Sequence, residues 1–112
     1  MAEEIKITKI TGKGLRFSIS ENNEEVARGH LYILTNDLHK EPFGFMEDVF
    51  VKEEYRSKGY GTKIVKAVVD KAKEVGCYKL IGTSRFTRPE VHRFYDKLGF
   101  KKYGYEFRVD FK

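Results

Sequence analysis

A single cysteine, Cys77, stands in the 112 residues, so the chain can form no internal disulfide, and a reducing, cytoplasmic setting fits. Only three histidines accompany it, scattered along the chain, which argues against a metal site. Glutamine is absent and asparagine scarce, a faint sign of a thermophilic composition. No apolar run approaches the ~20 residues that cross a bilayer, and the N-terminus lacks the apolar stretch of a signal peptide. Repeats, linkers and low-complexity segments are missing as well. The expectation is one domain over residues 1–112.

What is present is a core and a charge. A hydrophobic content of 40%, with 14% aromatic, suffices for close packing, and the formal net charge is +5. That excess suits an anionic ligand. Nucleic acid is also anionic, but the basic residues are spread along the chain and no nucleic-acid-binding motif stands among them.

The chain then reads in order. Ile5 and Ile7 alternate with polar residues, a short strand or lead-in, broken by Gly12-Lys13-Gly14. Leu15, Phe17 and Ile19 alternate with Arg16, Ser18 and Ser20, a strand. Glu21-Asn22-Asn23-Glu24 is a hairpin turn, because asparagine tolerates left-handed dihedrals. A strand follows over about 26–34, a polar loop over 35–42, and a central strand over about 43–51. A helical stripe of Ile64, Val65, Val68, Val69, Ala72 and Val75 predicts a helix over about 60–75, stopped by Gly76. Tyr78 to Ile81 is a short strand, parallel to the central one in a right-handed βαβ unit. Pro89 opens a second helix with Val91, Phe94, Tyr95 and Leu98 on one face, ended by Gly99. Tyr103, Tyr105, Phe107, Val109 and Phe111 alternate strictly and predict a last strand. The fold class is α+β with a mixed sheet. The long apolar face of that last run, placed near a sheet edge, also predicts a homodimer.

The chain is organised around Phe45 to Gly61, FMEDVFVKEEYRSKGYG. A strand ends in a turn that carries Arg56-Ser57-Lys58-Gly59-Tyr60-Gly61, and a helix follows. Two glycines at such a turn let backbone approach a ligand without an intervening Cβ. The first N–H groups of the helix have no helical partner and lie at a positive dipole end, which suits phosphate or pyrophosphate. Arg56 and Lys58 add charge. The plain alternative is a helix that follows a flexible turn.

With its context, this stretch resembles motif A of the GNAT N-acetyltransferases: a strand ending Val49-Phe50-Val51, then Lys52-Glu53-Glu54-Tyr55, then R-x-x-G-x-G. A second family signature, Phe94-Tyr95-Asp96-Lys97-Leu98-Gly99-Phe100, follows at the family's distance. The resemblance covers roughly 43–103. It implies acetyl-CoA as cosubstrate, with the pyrophosphate on Arg56, Ser57, Lys58, Gly59, Tyr60, Gly61 and Thr62, and the pantetheine along the backbone of Val49, Phe50 and Val51. Valine in place of Gly59 or Gly61 is expected to block that site and spare the fold. Family members usually carry one or two helices between their first two strands, covering the acceptor. Here only Glu21 to Glu24 fills that interval, so the acceptor side is open or completed by a second subunit.

Acetyl transfer to an amine needs a proton acceptor for the amine and a donor for the departing thiolate. Tyr95 holds the position of a family tyrosine near the CoA sulfur, and it is equally an aromatic on a buried helix face. Glu47 is the candidate base, as a desolvated carboxylate of raised pKa; an ion pair with a neighbouring strand, or simple attraction of a cationic amine, would serve as well. Strand alternation points Asp48 to the opposite face. Cys77 reads as a small buried hydrophobe and not as an acyl carrier, so transfer is direct. Within the family the sequence is most similar to glucosamine 6-phosphate N-acetyltransferases, through Gly44, Glu47-Asp48, Arg56 to Gly61 and Gly76-Cys77-Tyr78-Lys79. It departs from them at Thr83, where they carry Asp, and over Arg85 to Pro89. Arg85 and Arg88 suit an acceptor phosphate, the CoA, or plain surface charge. The resemblance therefore implies an N-acetyltransferase for a small-molecule or protein amine; a non-catalytic acyl-CoA-binding module is the alternative.

Overall fold

The computed structural model describes residues 4–84 and 89–112. β1 (Lys13–Glu21) and β2 (Glu24–Leu34) form an antiparallel hairpin in which Glu21 pairs with Glu24. Its two loop residues, Asn22 and Asn23, have φ of 52° and 64°, the double left-handed turn that matches strand twist. β3 (Phe43–Val51) adds antiparallel to β2. A 3-10 turn (Glu53–Tyr55) leads to α1 (Tyr60–Glu74), and β4 (Leu80–Gly82) returns parallel to β3. α2 (Pro89–Lys97) follows. Among the described residues the sheet runs β1-β2-β3-β4.

The core lies on one sheet face. Leu15, Leu31 and Met46 are register neighbours across three strands, and Leu31 and Met46 are fully buried beneath Val65, Val68 and Ala72 of α1. These α1 positions recur at helical spacing, which is why the helix buries one stripe and keeps its lysines wet. Phe94, Tyr95, Leu98 and Phe100, from α2 and the turn after it, pack against the same cluster. The alternate row, Arg16, His30 and Glu47, aligns on the other face.

One sequence expectation narrows and another changes. The N-terminal Ile5 and Ile7 form no strand and are exposed, so this segment is a lead-in. The run 103–111 also forms no strand, and Tyr103, Phe107 and Phe111 are more than 90% exposed. Alternation specifies which side chains share a face, but a strand exists only when a neighbour supplies its ladder, and among the described residues none does so here.

Candidate functional site

The pairing of β3 with β4 spans only Gly44, Phe45 and Met46. β3 continues to Val51, so from Glu47 onward no strand among the described residues borders it on the β4 side. Unpaired backbone at the end of a central strand is a ready acceptor of an extended ligand. On its other side β3 carries a bulge: Arg28 pairs with Phe50 but His30 pairs with Glu47, so Asp48 and Val49 together oppose Gly29. Asp48 takes the strain, with φ of 54°.

The bulge also corrects the expected alternation. Asp48 does not leave the face of Glu47's register partner: its Oδ2 accepts from Arg28 Nε at 2.8 Å and lies 3.8 Å from His30 Nδ1. The Arg28 guanidinium holds the Asp48 carboxyl below the usual carboxylate range. Glu47 is left exposed and, among the described residues, outside any ion pair. The ion-pair alternative expected for Glu47 is thus taken up by its neighbour. Burial of the Glu47 carboxylate, also expected, is not present in the single chain.

After β3 the chain turns sharply. Ser57 and Gly59 have φ of 73° and 81°, and Gly59 is the N-cap of α1. The Lys63 N–H donates to the Gly59 carbonyl at 3.1 Å, closing the first helical turn. No side chain caps this end, and no acidic residue lies in its first turn. Helix starts usually recruit Ser, Thr, Asp or Glu there. This one gathers Arg56, Lys58 and Lys63 instead. Arg56 folds back on the strand end, its Nε donating to the Val51 carbonyl at 2.9 Å. Lys58 Nζ lies 5.0 Å over the Tyr55 ring. The Tyr60 hydroxyl donates to the Glu21 carboxylate, which raises the Tyr60 pKa. Its side chain therefore ties α1 to the β1–β2 hairpin and leaves its backbone for other work.

Three elements converge behind the turn. A Cβ at Gly61 would lie 3.7 Å from Phe94 of α2 and 3.7 Å from Val51 of β3. Tyr95, next on α2, is partly buried, with its ring 5.3 Å from that of Phe100. Burial pushes its phenol upward, so it stays protonated at neutral pH. Burial pushes the Cys77 thiol up as well. A nucleophilic cysteine needs the reverse.

Sequence reasoning missed two features. One is the bulge, whose only trace is Gly29 in the interior of a strand. The other is why glycine stands there: a Cβ would meet Ile64 Cγ2 at 2.6 Å, so β2 and α1 touch backbone to side chain. Valine at Gly59 is also not the clean block expected, because the left-handed φ strains any β-branched residue. Arg85 and Arg88 lie outside the described residues. A cleft of about 350 Å³ between Val65, Val69 and Leu98 lies along the helix pair, and no candidate residue lines it.

The model of the acetyltransferase (GNAT) family matches residues 3–100. Glucosamine 6-phosphate N-acetyltransferase of Trypanosoma brucei brucei is 35% identical over 68 residues, covering 60% of this chain and 44% of the relative. Glucosamine 6-phosphate N-acetyltransferase 1 of Oryza sativa subsp. japonica is 40% identical over 57 residues, 51% of this chain and 33% of the relative. The chain thus spans less than half the length of either. The crystal structure of glucosamine-6-phosphate N-acetyltransferase from Arabidopsis thaliana superposes with a TM-score of 0.80 at 27% identity, over 88% of this chain and 67% of that one.

Proposed function

The chain belongs to the GNAT acetyltransferase family, and from that premise we propose that it transfers the acetyl group of acetyl-CoA directly to a primary amine of a small molecule or protein. The observation that carries the reading is the start of α1: a helix end with no side-chain cap and no acidic residue in its first turn, with Arg56, Lys58 and Lys63 close by in sequence, at the open end of β3. The backbone N–H groups of Lys58 to Thr62 hold the pyrophosphate. The pantetheine amides follow Val49, Phe50 and Val51, where β4 has withdrawn. The amine nitrogen attacks the thioester carbonyl carbon, the C–S bond breaks, Tyr95 donates a proton to the departing sulfur, and Glu47 accepts the amine's proton directly or through water. A cytoplasmic setting and a homodimer belong to the same reading, and nucleic acid is not among its partners.

The two-residue hairpin between β1 and β2 favours a second reading. Without covering helices on the acceptor side, the chain is an acyl-CoA-binding module without turnover. Calorimetry with acetyl-CoA, followed by thiol release against a panel of amines, separates the two. Binding with amine-dependent release supports the enzyme. Binding without release for any amine supports the module. Absence of binding overturns both.

A further inference from the structure

Glu21 and Glu24 form the closing rung of the β1–β2 hairpin, one directly opposite the other. Like charges in that position destabilise a strand pair, and the turn at Asn22-Asn23 does not require them. A local rule broken without a local gain marks residues that serve something else. Each carboxylate is engaged outside the hairpin. Glu24 accepts from Lys52 Nζ, and Glu21 accepts from the Tyr60 hydroxyl. Lys52 follows directly on β3, and Tyr60 is the first residue of α1. The two glutamates therefore grip the two ends of one stretch, the turn that leads into α1.

That stretch needs a grip. It holds two left-handed residues, Ser57 and Gly59. Ser57 carries a Cβ, and a residue so placed persists only where its surroundings over-determine it. Inside the turn, the Tyr55 N–H donates to the Lys52 carbonyl at 2.9 Å and the Arg56 N–H to the Glu53 carbonyl at 3.2 Å. Those bonds shape the turn without tying it to the hairpin. At its entry the Lys52 N–H donates to the Val26 carbonyl of β2 at 2.9 Å, beside the bond from its ammonium to Glu24. At its exit the Tyr60 phenol reaches Glu21.

We propose that Glu21 and Glu24 are positioning residues for the cosubstrate: together they clamp the turn 52–60 to the hairpin and hold its backbone in the form that receives a pyrophosphate. The clamp rests on the acetyl-CoA reading given under the proposed function. Neither glutamate touches the ligand. A loop ordered before binding loses less entropy on binding, so the clamp acts on affinity. Its two arms differ. Lys52 and Glu24 keep 39% and 52% of their side chains exposed, and such a pair adds little to stability. The Tyr60–Glu21 bond is partly buried and is the stronger arm. Loss of either glutamate also relieves the repulsion in the closing rung. Affinity should therefore fall while stability holds.

Glu21→Thr keeps a strand-forming residue, and Tyr60→Phe keeps the ring. Each should raise the Kd for acetyl-CoA several-fold by calorimetry. The double variant should bind no more weakly than the weaker single, because both changes cut one bond. Glu24→Lys and Lys52→Glu should each weaken binding, and their combination, which restores both the pair and the net charge, should recover most of the loss. In the ligand-free protein, amide exchange at Tyr55, Arg56 and Lys63 should quicken in Glu21→Thr, while the paired residues of β2 and β3 exchange as in the parent and the melting temperature does not fall. A parent-like Kd in Glu21→Thr, additive losses in the double variant, unchanged exchange in the turn, or a Kd that rises only as the melting temperature falls would each overturn the clamp. A parent protein that does not bind acetyl-CoA would sink the acetyl-CoA reading instead, and exchange at Tyr55, Arg56 and Lys63 would then decide the clamp by itself.

Discussion

Burial raises the pKa of both Tyr95 and Cys77, with opposite chemical meaning. A phenol kept neutral remains a hydrogen-bond donor to a developing thiolate, whereas a thiol kept neutral loses its nucleophilicity. Tyr95→Phe keeps the ring against Phe94 and Phe100 and removes only the hydroxyl. We expect kcat to fall several-fold, within the ~10²- to 10⁴-fold reach of general acid catalysis, with acetyl-CoA affinity by calorimetry unchanged. Full kcat would return Tyr95 to core packing alone. Cys77→Ala should keep activity, and an acetyl-cysteine trapped in mass spectrometry would contradict direct transfer. Burial of Tyr95 also carries a pH sign. Its folded pKa lies above the ordinary value of 10.0, so the stability it contributes is present below about pH 10 and is lost as pH rises through the folded value. Thermal melts between about pH 8 and pH 11 should show alkaline destabilisation that Tyr95→Phe reduces. Both residues were visible in the sequence. The ionisation states were not, because burial is set by neighbours far along the chain.

The elements divide by how local their cause is. The β1–β2 hairpin follows from Asn22-Asn23, and the end of α2 from Gly99, whose φ is 92°; each is written in one or two residues. The limits of β3 and the start of α1 were legible for the same reason, since glycines and alternation mark them. The bulge at Asp48 was not, because an extra residue on one strand shows only against the register of its partner. The packing at Gly29, opposite it, can be tested by itself. Gly29→Ala would press its Cβ to 2.6 Å from Ile64 Cγ2, and Ile64 is buried and stiff at χ1. The expected cost is about 1–3 kcal/mol, read by chemical denaturation. The two glycines at the start of α1 should part company. Gly61→Ala meets only ordinary contacts at 3.7 Å and replaces a helical glycine, so stability should rise by up to ~1 kcal/mol. Gly59→Val, at a left-handed N-cap, should lose about 1–3 kcal/mol. If Gly59→Val is as stable as the parent, the turn is not held at that dihedral.

At the scale of the whole molecule, the sheet ends in a nine-residue strand, β1, on one side and a three-residue strand, β4, on the other, and residues 103–111 carry a strand pattern that pairs with neither. The alternation of 103–111 was plain in the sequence, while the absence of a ladder within the chain depends on how much edge the finished sheet leaves. A homodimer held by that run, as the proposed function has it, would couple folding to concentration. The melting temperature of the 112-residue protein should therefore rise with protein concentration over the micromolar range. Removal of residues 103–112 should abolish that dependence without unfolding the body, because the core of Leu31, Met46, Val65, Val68 and Ala72 includes none of them. The truncated chain should sediment as a monomer and keep its circular dichroism. A melting temperature that stays flat with concentration in the full chain would mean that the run meets no second copy in solution. A truncated chain that no longer folds would mean that the run supports its own body and not a second copy.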